Sequence, residues 1–261
     1  MLVTPPDSLD TTKLFAELDE HGYARLGRVL SAEGVAQLGS RLDDLMLGRL
    51  KYEGMFFQRD SGTGRYEDLA YGRGWQGATL AYRKLEKLEL DPLFRAWIEN
   101  PLFERIARAR IEGAISLYRA VVFTKAVTGG TALPWHQDGG VFWGVDQAPT
   151  LQIWTALDDA PVESGCVEVI PGSHHRGLAT PEGGTIPDRL VEEDVREKRV
   201  LPLPAKAGEA ILIHNRVWHR SGVNTTGVRR SALSVCYMSA ATKCLRKRRA
   251  PREFMRLFEN H

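Results

Sequence analysis

Two patterns of apolar and polar positions divide the chain. Through about residue 110, apolar side chains recur at three- and four-residue steps, the spacing of one helix face. Val35, Leu38, Leu42, Leu45 and Met46 follow this rule behind a capping Ser31, with Glu33 and Gly34 in the first turn. Ser8 or Asp10 can cap an earlier helix that runs to about His21. A third helix is expected from Asp91 or Pro92 to Ile111, with Leu93, Trp97, Leu102, Ile106 and Ala107 on one face. From Ala114 the steps shorten. Alternating or apolar runs at 116–125, 150–157, 166–170, 199–203, 209–214 and 230–238 read as strands, and Gly and Pro punctuate the gaps between them. Many short strands with turn signals predict a sandwich or barrel. Helices first and strands later predict an α+β fold, with an N-terminal helical layer packed on one side of the β-structure.

Residues 52–77 fit neither pattern. They hold Phe56, Phe57, Tyr66, Tyr71 and Trp75 among several glycines. A loop of this length without structure of its own is uncommon and often functional. Two readings stay open: a lid that brings Phe57 and Trp75 to a substrate pocket, or aromatics that pack beneath the barrel.

Composition narrows the classes. The 261 residues are 43% hydrophobic and 26% charged, with a net charge of +2. That balance argues against a nucleic-acid partner. Cys166, Cys236 and Cys244 form no CxxC pair, so neither a disulfide framework nor a cysteine zinc site is expected. The first residues lack the basic and apolar regions of a signal peptide, and no apolar run is long enough to span a membrane. The expectation is one domain over residues 1–261: a helical layer with the aromatic segment at 1–113, a β-core at 114–240 and a basic tail at 241–261. A cytoplasmic location, a small-molecule substrate, and no nucleic-acid or membrane partner go with it. Oligomeric state is not encoded in any feature noted here.

The chemistry concentrates at Trp135-His136-Gln137-Asp138-Gly139. On a strand, positions i and i+2 point to the same side, so His136 and Asp138 can aim an imidazole and a carboxylate at one point. His219 lies downstream, after an apolar run ending at Ile213. Two His and one carboxylate on one face of a metal leave three positions open, the arrangement of non-haem Fe(II) oxygenases. Such an enzyme needs an anchor for a dicarboxylate cosubstrate, and an Arg fork suits a carboxylate. Arg230 begins the last alternating strand. Arg229 would point to the opposite face, and Ser221 adds a hydroxyl near His219.

The chain resembles the phytanoyl-CoA dioxygenase family of Fe(II)/2-oxoglutarate-dependent oxygenases. The resemblance rests on the His136-x-Asp138 segment, on Ile-Trp-Thr-Ala-Leu-Asp-Asp at 153–159, on Ser-Gly-Cys-Val-Glu-Val-Ile-Pro-Gly-Ser-His at 164–174, and on His219-x-Ser-Gly-x-Asn followed by Arg230. It covers about 117–237. It implies a double-stranded β-helix (a cupin-like jelly-roll) with supporting helices. It implies Fe(II) held at His136, Asp138 and His219, 2-oxoglutarate held at Arg230 and Ser221, and O2 as oxidant. The implied activity is that of a dioxygenase, most simply a hydroxylase that releases succinate and CO2. Lys125 matches a further recurrent family position, to which no contact is assigned. Family members that halogenate lack the carboxylate ligand, so Asp138 argues against halogenation.

Other readings of the same residues remain. A zinc hydrolase can use two His and one Asp, although no Glu base lies beside the ligands and Arg230 would have no role. A cupin would carry His-x-His and a following Glu. A jelly-roll that only binds ligand is the third. His214 reads as a hydrogen-bonded structural residue, and His174 and His175 as loop residues near the barrel mouth. Arg119 is either a pocket contact or half of a buried ion pair. Gln152 and Trp154 share a strand face and are packing or pocket residues. Trp143 is a candidate pocket wall. The basic run at 243–249 reads as a solvated tail.

Overall fold

The computed structural model describes residues 9–127, 130–197, 199–247 and 252–260. The elements run α1 (Thr11–His21), β1 (Tyr23–Arg28), α2 (Ala32–Met46), β2 (Phe56–Arg59), β3 (Tyr82–Glu86), α3 (Pro92–Ile98), α4 (Pro101–Arg108), β4 (Ile115–Lys125), β5 (Leu133–Gln137), β6 (Leu151–Ala156), β7 (Val167–Ile170), β8 (Gly184–Thr185), α5 (Asp188–Glu197), β9 (Leu201–Leu203), β10 (Glu209–Ile213), β11 (Trp218–Ser221), β12 (Arg230–Ser239) and β13 (Arg256–Phe258). The larger sheet has the order β1-β10-β6-β12-β4-β3-β2, with β13 also paired to β4; the smaller has β8-β5-β11-β7-β9. Neighbours pair antiparallel throughout. These two sheets are the layers of a jelly-roll, in agreement with the α+β expectation.

Strand alternation sorts the side chains of the larger sheet. Ala120 and Val122 of β4, Ile153 of β6, Leu212 of β10 and Leu233 and Val235 of β12 join the core shared with the helices. That core also takes Leu14 and Leu18 of α1, Leu38 and Leu42 of α2, Trp97 of α3 and Phe103 of α4. The alternate positions, Trp154, Ala156, Ile211, Ile213 and Ala232, meet Val167, Val169 and Leu203 of the smaller sheet. Period-two side-chain direction therefore makes one face of each central strand support the helices while the other lines the space between the sheets.

The helix starts follow from their caps. Asp10 accepts from the amides of Thr12 and Lys13, and Ser31 accepts from Gly34. Ser8, the other candidate cap, lies outside the described residues. The single helix expected over 91–111 is two, α3 and α4. Pro101 has no N–H to continue the first helix, and the Asn100 side chain caps the second by accepting from Phe103 N at 3.0 Å. The N-terminal third is also less helical than its spacing suggested, because β1, β2 and β3 extend the larger sheet. The solvated reading of 243–249 falls partly outside the described residues; farther along the tail, β13 returns to pair with β4.

Of the five aromatics, Phe57 and Trp75 belong to the hydrophobic core, whereas Tyr66 and Tyr71 are exposed. Phe57 lies in β2, is 2% exposed and packs against Tyr82 with ring centroids 5.0 Å apart. Trp75 donates from Nε1 to the Met46 carbonyl at 3.2 Å. A Cβ at Gly72 would stand 2.2 Å from the Phe56 ring, so only glycine allows that approach. Phe57 and Trp75 are therefore packing residues and do not line the cavity.

Candidate metal centre and cavity

His136 ends up opposite His219 because β5 and β11 pair antiparallel with these two residues in register. Their ring centroids are 4.0 Å apart. Asp138 follows β5 directly, and its backbone N–H donates to the Asn215 carbonyl at 2.8 Å. The chain then turns at Gly140 (φ +73°), where a Cβ would lie 2.5 Å from the Glu182 backbone. One ligand atom from each of His136, Asp138 and His219 falls within 4.8 Å of the other two.

The hydrogen bonds fix the imidazoles for ligation. His136 Nδ1 is 2.9 Å from the Pro134 carbonyl, and His219 Nδ1 is 2.9 Å from the Val217 carbonyl. A carbonyl only accepts, so each Nδ1 carries the proton and each Nε2 keeps its lone pair. Burial, reinforced by His219, pushes His136 down to about 3. Burial alone would raise Asp138, but Arg119 and the two imidazoles outweigh it and hold the carboxyl down at about 2. His136 and Asp138 are thus in the deprotonated forms that bind a cation.

Asp138 is held from behind. Arg119 Nη2 donates to its Oδ2 at 3.1 Å, and Gln152 Nε2 donates to the same oxygen at 2.6 Å. Arg119 also lies 4.8 Å over the Trp143 ring, which stacks on Tyr118 at 4.2 Å. Trp143 is therefore buried behind Arg119 and is not among the residues lining the cavity, contrary to its expected place. The acidic partner that a buried Arg119 requires is Asp138 itself.

Beside these residues lies a cavity between the sheets. Its walls include Arg83, Arg119, Phe123, Lys125, Thr131, Gln152, Trp154, Ser221, Arg230 and Ser234. Arg230 is 3% exposed, and strand alternation in β12 turns it inward with Ala232 and Ser234. One terminal nitrogen donates to the Gly165 carbonyl, while its buried Nε has no partner among the described residues. Burial pushes it down to about 10. Arg229 points the other way and pairs with Asp43 of α2 at 2.5 Å. Asn224 sets this register by bonding the carbonyls of Ala126 and Val228 at 2.8 and 2.6 Å. Lys125 is the cross-strand partner of Arg230 and donates to the Thr131 carbonyl at 2.8 Å. Burial, aided by Arg230, pushes Lys125 down to about 7.

Of the expected site residues, the structure gathers His136, Asp138, His219, Arg119, Gln152, Ser221 and Arg230 at one cavity. It leaves Phe57, Trp75 and Trp143 outside. His214 faces His174 at 4.7 Å and accepts from Arg216 N, so it stands apart from the three ligand candidates. His174 and His175 rest on the carbonyls of Asp19 and Glu20 at the end of α1, not at the cavity. Arg83 was not singled out in the sequence. Strand parity gives no signal for it, because β3 pairs Lys84 with Phe123 and Arg83 falls where the β2–β3 register shifts.

The model of the phytanoyl-CoA dioxygenase (PhyH) family matches residues 18–232. The chain belongs to the phytanoyl-CoA dioxygenase family. A zebrafish phytanoyl-CoA dioxygenase domain-containing protein 1 is 34% identical over 149 residues, 54% of this chain and 50% of that protein, so the match spans half that relative's length. Phytanoyl-CoA dioxygenase 1 of rice is 27% identical and covers 88% of this chain and 90% of its own. Among solved structures, the non-haem α-ketoglutarate-dependent carbocyclase SnoK from nogalamycin biosynthesis superposes with a TM-score of 0.69 at 22% identity, covering 93% of this chain and 88% of that one. EctD from S. alaskensis, with 2-oxoglutarate and 5-hydroxyectoine, gives 0.70 at 17% identity, covering 93% and 82%. At these identities the structural likenesses show the shared fold. No helix among the described residues of this family member is long and apolar enough to cross a membrane.

Proposed function

We propose that this chain is an Fe(II)- and 2-oxoglutarate-dependent dioxygenase that hydroxylates an unactivated C–H of a small molecule. His136, Asp138 and His219 are assigned as the iron ligands, and Arg230 with Ser221 as the anchor of the cosubstrate's distal carboxylate. The observation that carries this reading is that three converging ligand atoms and a buried, unpaired guanidinium share one cavity.

The residues present fit these groups. Two lone pairs and one carboxylate oxygen suit a divalent ion with open positions. The orphaned Nε of Arg230, a guanidinium that joins no ion pair among the described residues, suits an incoming anion. With iron, 2-oxoglutarate and O2 bound, the centre supplies an oxidation coupled to loss of CO2 and formation of succinate. The chain's part is positioning. Arg119 and Gln152 hold the Asp138 carboxylate in place. Pro134 and Val217 fix the imidazole orientations. Phe123, Leu133, Trp154 and Ile213 keep the walls apolar and exclude water from the reacting C–H. Asp138 is the only carboxylate on the described walls, which leaves a zinc hydrolase without a second carboxylate as base.

The test is a panel of small-molecule substrates incubated with Fe(II) and 2-oxoglutarate, with succinate release and product mass as readouts. Iron-dependent succinate with an oxygen added to one substrate supports the reading. Hydrolysis products without succinate overturn it.

A further inference from the structure

Tyr118 and Arg119 are consecutive in β4, yet both reach Trp143. A regular strand sends neighbours to opposite faces. Here β12 pairs Cys236 with Arg119 and Tyr237 with Leu117, so Tyr118 is one residue in excess. Such a bulge breaks the alternation and re-aims a side chain. The Tyr118 ring stacks on Trp143 at 4.2 Å with 3° between the planes, and its hydroxyl donates to the Trp143 carbonyl at 3.0 Å. The Arg119 guanidinium lies 4.8 Å from the centre of the same indole and donates to Asp138 Oδ2 at 3.1 Å. An aromatic face against a guanidinium restricts where its N–H edge can point. Trp143 thus aims the cation that holds the carboxylate ligand.

The C-terminal segment secures this arrangement from outside the barrel. The Met255 carbonyl accepts from Leu117 N at 2.8 Å, and Arg256 and Phe258 of β13 pair with Ser116 and Ile115. Arg252 donates to the Tyr118 carbonyl and lies 4.8 Å over its ring, and Phe254 stacks on that ring at 5.9 Å. All these contacts fall on the stretch 115–118, which ends at the bulge. On the same edge of β4, β3 pairs only at Val121–Phe123. Tyr118, Trp143, Cys236 and Met238, with Phe254 against them, form a small cluster separate from the core shared with the helices.

We propose that residues 252–258 are a positioning element of the metal centre. By holding the bulge at Tyr118 they hold Trp143 and Arg119, and through Arg119 they hold the Asp138 carboxylate. No residue of this segment lines the cavity, so the tail acts on the metal only through that chain of contacts. Gln152 also donates to Asp138 Oδ2, and loss of the tail contacts therefore weakens iron binding without abolishing it. The inference rests on the assignment of Asp138 as an iron ligand.

The experiment is an anaerobic Fe(II) titration against a competing chromophoric chelator. Four full-length proteins form a cycle: wild type, the double variant Arg252→Gln, Phe254→Ala, the single variant Arg119→Met, and all three substitutions together. The double variant should bind Fe(II) about tenfold more weakly than wild type, the lower end of what a ligand's supporting partner contributes. In the Arg119→Met background the same two substitutions should change Fe(II) affinity by less than about twofold, because the contact they act through is already gone. A segment that serves only the fold would lower the urea midpoint and leave the iron affinity of the folded protein unchanged, and that result overturns the proposal. An equal loss of affinity in the presence and absence of Arg119 overturns it too. If the double variant does not fold, Arg252→Gln alone takes its place in the cycle and the same two outcomes decide. A wild-type protein that binds no Fe(II) would defeat the metal assignment itself, whereas wild-type binding that the tail substitutions leave untouched defeats only the role of the tail.

Discussion

His136 and His219 face each other across the β5–β11 pairing, and each donates its Nδ1–H to the carbonyl two residues earlier. The pairing brings both Nε2 lone pairs to the side where Asp138 presents its carboxylate. Deleting Asp138 removes the one anionic ligand. Asp138→Ala should lose product formation altogether and weaken Fe(II) binding. His214→Ala should bind Fe(II) as wild type does, because His214 faces His174 instead. An Fe(II) titration of both variants checks this. Wild-type iron affinity in Asp138→Ala would remove the carboxylate from the ligand set.

Arg119 acts on the metal through Asp138. Its removal leaves Gln152 as the carboxylate's one side-chain hydrogen-bond donor. Partners of this kind are worth tenfold to a hundredfold in metal affinity. Arg119→Met should therefore weaken Fe(II) binding by about that factor, and the Fe(II) titration gives the number.

Arg230 and Arg229 separate two roles on neighbouring residues. Losing a buried charge pair costs about 2–5 kcal/mol. Arg230→Ala should raise the KM for 2-oxoglutarate tenfold or more, and Arg230→Lys should remain impaired because a point charge cannot replace the fork. Arg229→Ala removes only the contact with Asp43 and should leave that KM unchanged. Steady-state kinetics in 2-oxoglutarate distinguishes them.

His214 makes stability depend on pH. Burial, with His174 and Arg216 adding, pushes it down to about 3 from its ordinary 6.5. Between those values the unfolded chain binds a proton that the folded chain refuses, so stability falls as pH drops through that window. His214→Gln should flatten the dependence by up to about 1.4 kcal/mol per pH unit. Urea midpoints between pH 7 and 4 measure it.

Phe57 is a core residue and should behave like one. Phe57→Ala should cost about 3–5 kcal/mol of stability, with Fe(II) affinity in the folded protein unchanged. Urea unfolding and metal titration together test both halves.

Much of the site was legible because its parts carry local signals. His136 and Asp138 are two apart, and Arg230 opens an alternating strand whose parity decides which of two arginines faces inward. The six strands read at 116–238 are likewise self-announcing, since each is apolar on at least one face. What stayed hidden depends on pairing across long sequence distances. β1 (Tyr23–Arg28) has too few apolar residues to read as a strand and exists because β10 offers an edge. Arg83 becomes a wall residue only through the register shift between β2 and β3. Trp143 looked like a pocket residue beside the ligands, but the flat surface of Tyr118 and the cation of Arg119 draw it behind the wall. Phe57 and Trp75 read as lid residues because their core partners, Tyr82 and Met46, lie outside the segment. Pro101 was visible in the sequence, and its break in the helix at 91–111 was obscured by apolar spacing that continues across it.

The most direct measurement of the central claim is 2-oxoglutarate turnover by purified protein, followed as succinate, with and without Fe(II), in wild type and Asp138→Ala. The account predicts succinate from the wild type only when Fe(II) is present, and none from Asp138→Ala. Succinate formation that survives either the removal of iron or the loss of Asp138 would contradict it.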